Sequence, residues 1–138
     1  MTRPEKQTLR NPVTIWWLVW AGILVGLCAI YFALGRGRPL PATPPANPFA
    51  DLIGLVPLFV SIIIRWLVLP RYTEMARAFP IFIVGLALAE GCGLLGIFLG
   101  GIYRDDLFVL AVLGIFQFMP FFTRQYLTAR PPGFIPNN

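Results

Sequence analysis

Glu90 is the residue whose type and setting invite chemistry. It stands midway along the apolar run Gly85-Leu-Ala-Leu-Ala-Glu-Gly-Cys-Gly-Leu-Leu-Gly96. Holding its charge in hydrocarbon costs from about 2.5 kcal/mol upward, so the neutral, protonated acid is the cheaper form. A carboxyl in that position has two uses. It can bind a proton or cation along a transport path, or it can hydrogen-bond a neighbouring helix, a link worth about 1 kcal/mol.

Few other residues offer reactive groups. Arg65 lies near the end of one apolar run, and Gln117 and Pro120 lie near the end of another. Arg65 is expected to snorkel to the cytoplasmic headgroups rather than pair with Glu90, which lies roughly 9 Å deeper by helical rise. Gln117 matches Arg65 in depth, so a polar cluster of Arg65 and Gln117 is the alternative. Pro120 would add the Phe116 carbonyl to it, because proline has no N–H to return to that oxygen. Equally, Gln117 can simply hydrogen-bond another helix. The two cysteines, Cys28 and Cys92, stand alone in separate apolar runs, and there is no histidine. The commonest general base and metal ligand is therefore missing, as is every Ser/His or Cys/His pair. No enzymatic activity, metal or cofactor is expected.

The elements that must position these residues are membrane helices. The chain is 57% hydrophobic and 12% charged, against roughly 25% charged in an average soluble domain. Apolar runs extend over residues 13–34, 49–69, 79–101 and 107–122. A hydrocarbon core of about 30 Å needs about 20 helical residues, which the first and third runs supply easily and the second supplies with one charge, Arg65, near its end, while the fourth is short. The expectation is an all-α polytopic membrane protein, a bundle of four transmembrane helices with short loops. Residues 1–138 then form a single membrane domain with flexible ends at 1–10 and 128–138. The run at 13–34 is longer than the 7 to 15 residues of a secretory signal, and Trp16, Trp17 and Trp20 suit an interfacial anchor.

The eleven basic residues sit singly beside span ends, with a net charge of +5. Seven of them (Arg3, Lys6, Arg10, Arg71, Arg77, Arg124 and Arg130), or eight with Arg65, fall on one side and three (Arg36, Arg38 and Arg104) on the other. Positive residues favour the cytoplasmic side, so both termini are expected there, with the cell membrane (in a bacterium, the inner one) as the setting. Such scattered charge suits anionic lipid and argues against nucleic acid. The proline-rich stretch 35–48 forms an external connector. After it, Asn47, Pro48 and Asp51 offer a cap, a first helical residue and a first-turn acid. Arg104, Asp105 and Asp106 read as a second, tight external turn.

Small residues recur every three or four positions on two runs. Gly85, Ala89, Gly93, Gly96 and Gly100 form one stripe, with Glu90 at its edge; Gly22 and Gly26, continued by Ala29 and Ala33, form another. In lipid such stripes let helix backbones approach closely.

The hairpin from about Leu52 to Gly101 resembles the proteolipid c subunit of rotary ATP synthases. The likeness rests on Gly85-Leu-Ala-Leu-Ala-Glu90 followed by Gly-Cys-Gly-Leu-Leu-Gly-Ile-Phe98, which is similar to that family's second helix with its mid-membrane carboxyl. It implies an ion-binding role for Glu90. Bulky residues and Arg65 replace the family's glycine ladder on the first helix, and Arg71-Tyr-Thr-Glu-Met-Ala-Arg77 replaces its loop signature. The function expected from the whole sequence is a structural or accessory membrane subunit that self-associates or joins a larger complex. The partners are the bilayer and other membrane helices. A proton- or cation-translocating protein using Glu90 is the alternative.

Overall fold

A computed structural model describes residues 12–37, 39, 49 and 52–123, and every element within them is helical. Four α-helices follow in order: α1 Pro12–Ile30, α2 Leu55–Ile63, α3 Met75–Leu99 and α4 Arg104–Phe116. A π-helical turn, Tyr31–Gly35, extends α1, and another, Ile64–Val68, extends α2 before a 3-10 turn at Leu69–Arg71. Two helices are long and apolar enough to cross a membrane, Val13–Gly35 and Met75–Leu99, each with a mean hydropathy of 2.2. The cap expected at Asn47, Pro48 and Asp51 and the ends expected to be loose lie outside the described residues.

Local chemistry moves three boundaries from where the apolar runs set them. α3 begins at Met75, four residues ahead of Phe79, because extended Glu74 accepts hydrogen bonds at its carbonyl from the Arg77 and Ala78 N–H groups. Glu74 also pairs with Arg77 at 3.0 Å. Arg104, Asp105 and Asp106 are not a turn. They form the first turn of α4, where two carboxylates meet the positive end of the helix. The turn is Gly100–Tyr103, and Gly101 adopts φ 50°, a backbone region that a Cβ would strain. α4 then stops at Phe116, ahead of Pro120, which has no N–H to donate and whose ring would clash with the preceding turn.

α3 is the central helix, touching α1, α2 and α4, with α4 its most extensive partner. Leu27, Phe82, Leu86, Ala89, Leu107, Ala111, Ile115 and Phe118 are buried between them. Small residues set the spacing. A Cβ added at Gly96 would stand 2.6 Å from the Leu107 Cβ, and one at Gly93 would stand 2.8 Å from a Leu27 methyl and 2.9 Å from the Ala111 Cβ. At Gly85 it would overlap the Phe118 ring. Gly114 of α4 is equally tight against Leu58 and Ala89. By contrast a Cβ at Gly22 or Gly26 meets nothing within 4 Å, so these two glycines of the α1 stripe pack on none of the described residues.

Candidate functional site

Four side chains of the bundle are aimed at backbone carbonyls. On α2 and the π and 3-10 turns that extend it, Leu58, Ser61, Arg65 and Leu69 recur every three or four residues on the inward face, and all are buried. The Ser61 hydroxyl donates to the Gly85 carbonyl at 2.7 Å. Gly85 has no side chain to bar that approach. One turn on, Arg65 Nε donates to the Gln117 carbonyl at 2.7 Å. The last four carbonyls of a helix lack intrahelical donors and carry its negative end, so the α4 terminus is a natural acceptor for a guanidinium. The guanidinium also lies 5.5 Å from the Trp66 ring centre.

Arg65 therefore does not snorkel outward; it is 7% exposed and held inside by α4. Nor is its acceptor the carbonyl that Pro120 was expected to free. Phe116 already receives a hydrogen bond from the Met119 N–H at 3.0 Å, because the chain tightens after α4. Arg65 and Gln117 do meet, but through the Gln117 backbone. The Gln117 side-chain nitrogen is buried without a hydrogen-bond partner. It stands by a cleft of about 170 Å³ between α2 and α4, lined by Leu58, Ile62, Leu110, Leu113 and Gly114.

Two further side chains complete the set. The Trp20 indole N–H donates to the Ile115 carbonyl at 2.9 Å, and the Cys92 thiol lies 3.7 Å from the Leu107 carbonyl. Trp16 and Trp20 are thus core residues rather than interfacial anchors: Trp16 packs at a tilt against Phe79 and Phe82, and both indoles are almost wholly buried. An indole suits either place, and the aromatic rings of α3 and α4 decide between them.

At the opposite end, sequence reasoning missed a lock between α1 and α4. The Tyr31 hydroxyl donates to Asp105 Oδ1 at 3.0 Å, Arg104 Nε reaches the same oxygen at 3.1 Å, and the Tyr31 ring stacks on Phe108 at 3.8 Å. The hydrogen bond from Arg104 is the main reason the Asp105 carboxyl is held below its ordinary pKa. The available signal was a tyrosine ending one apolar run and an aspartate opening another on the same expected side.

Glu90 stands apart from all of these. It is half-buried in the middle of α3 and makes neither a hydrogen bond nor an ion pair with the described residues, Arg65 included. Ser61 and Cys92 each point at a carbonyl with no base beside them. Among the described residues no group of three His, Cys, Asp or Glu side chains could hold a metal ion. Comparison of the chain with family models, with curated proteins and with solved structures finds no match.

Proposed function

We propose that this chain is a multi-pass membrane protein, with all four helices in the bilayer and both termini cytoplasmic, and that it acts as a structural or accessory subunit associating with other membrane helices. The supporting observation is a division of labour among side chains. Ser61, Arg65, Trp20 and Cys92 tie one helix to the carbonyls of the next. The outside of every helix, meanwhile, carries large apolar side chains: Leu18 is 63% exposed, Phe59 63%, Val84 51% and Leu113 60%. Apolar exposure on that scale suits lipid or other helices, because water would not tolerate it. Inward polar groups already bonded to carbonyls leave no nucleophile and base poised together.

α2 with its π and 3-10 turns extends for about 25 Å, and the stretch from Gly101 to Thr123 continues α4 at both ends with 3-10 turns. Those extensions let the two shorter helices reach toward both faces of a bilayer about 30 Å thick.

A second reading, proton or cation translocation in the manner of the c subunit that the α2–α3 hairpin resembles, draws on Glu90, a carboxyl in the middle of α3 with no partner among the described residues. Reconstitution into vesicles carrying a pH-sensitive dye separates the two. A structural subunit gives no flux above protein-free vesicles, and Glu90→Gln changes nothing in that assay. Ion-driven flux that Glu90→Gln abolishes, with the helical content unchanged, would contradict the structural role.

A further inference from the structure

The outer side of the α1–α3 seam contains the one span carboxyl among the described residues, and none of those residues pairs with it. The two helices run parallel and in register along this seam. Trp16 packs on Phe82 with ring centres 4.4 Å apart. Eleven residues further along each helix, Leu27 lies against Gly93. Eleven residues make about three turns, so residues eleven apart share a helix face to within about 20°. Ile15 and Phe79 flank the seam and, with Trp16, Met75 and Ala76, line an open apolar cleft of about 350 Å³. The same eleven-residue step from Ile15 and Phe79 arrives at Gly26 and Glu90. The same faces of the two helices therefore carry Gly26 on α1 and Glu90 on α3, and a Cβ at Gly26, or at Gly22 one turn before it, meets nothing within 4 Å.

We propose that this seam is the contact surface for a second copy of the chain, the two copies related by a two-fold axis along the membrane normal, with the two Glu90 side chains facing each other as a hydrogen-bonded pair of neutral carboxyls. The proposal rests on the membrane-bundle reading above. A carboxyl left among acyl chains forgoes its hydrogen bonds, whereas a neutral carboxyl carries both a donor and an acceptor and so complements a copy of itself. A two-fold axis along the normal brings each residue to the same depth as its counterpart, which places Glu90 opposite Glu90 without any other group having to match it. Ser61, Trp20, Cys92 and Arg65 are already bonded to carbonyls inside the chain and point elsewhere. Gly22 and Gly26 supply the close approach that association of helices in lipid requires.

The test is single-molecule photobleaching of the full chain in liposomes over a range of protein-to-lipid ratios. Flotation of the same vesicles after a carbonate wash reports membrane insertion separately. The wild-type chain should show two-step bleaching that gives way to one step on dilution. Glu90→Gln keeps a self-complementary donor and acceptor and should dimerise almost as well. Glu90→Leu and Gly26→Leu should each weaken dimerisation by about ten-fold. Gly26→Cys, in a background with Cys28 and Cys92 replaced by Ala, should cross-link between copies under mild oxidant. A floating but monomeric wild-type chain, as expected if lipid alone fills the seam, overturns the proposal and leaves the membrane reading standing. So does a dimer that neither leucine variant weakens. A chain that fails to float overturns both.

Discussion

Gly85 and Gly22 are the same residue in the same kind of helix, yet an added methyl group meets opposite surroundings. At Gly85 it runs into the Phe118 ring and comes within 3.2 Å of Ile64; at Gly22 it meets nothing within 4 Å. Gly85→Ala should therefore destabilise the bundle by about 1–3 kcal/mol, the usual penalty of overpacking. Gly22→Ala should stay within about 0.5 kcal/mol of wild type. Unfolding in mixed micelles, under conditions that keep the chain monomeric, measures both, and equal effects would contradict the packing described for α3. The sequence already showed two small-residue stripes, since spacing of three and four residues is visible in any helical run. It did not show which stripe would be covered inside the chain, because that depends on where Leu27, Leu107 and Phe118 come to lie. Arg65 has the same limit. Its depth was readable from the run length, but its acceptor was not, because the orphan carbonyls exist only once α4 has ended.

Between elements, the lock of Tyr31, Arg104 and Asp105 fixes the end of α1 to the start of α4. Asp105 precedes the apolar run 107–122, and its carboxyl pKa is lowered, chiefly by the hydrogen bond from Arg104. A group whose folded pKa is depressed stabilises the fold above its unfolded value, near 4, and loses that contribution as pH falls through the folded value. The Asp105 side chain is 55% exposed, so screening keeps the effect under about 1 kcal/mol. Thermal unfolding in neutral detergent should show wild-type stability declining below about pH 4, with Asp105→Asn less stable at pH 7 and flatter through the acid range. A wild-type profile as flat as that of the variant would contradict the lock. Element boundaries were the least legible part of the sequence. Hydropathy marks where apolar residues stop, whereas the Glu74 carbonyl, the φ of Gly101 and the missing N–H of Pro120 mark where the backbone turns.

For the whole molecule, the helical class and the count of four helices followed from composition and run length. Apolar runs of 16 to 23 residues are too long for single strands and suit helices. What length alone leaves open is the medium around α2 and α4, whose regular α-helical segments have only 9 and 13 residues. The proposal places them in lipid on the strength of their outward faces, where Phe59 and Leu113 are among the most exposed side chains of the bundle. The direct test is a nitroxide spin label at residue 59 or 113, one at a time, in reconstituted vesicles with both native cysteines replaced. Collision rates with oxygen, which partitions into lipid, and with a water-soluble nickel chelate then report the surroundings of each helix. If all four helices lie in the membrane, both labels will collide strongly with oxygen and hardly with the chelate, as will a label at the outward residue 18 of α1. Strong chelate collisions at 59 and 113, with residue 18 still shielded, would show that α2 and α4 lie in water and contradict the four-helix membrane bundle.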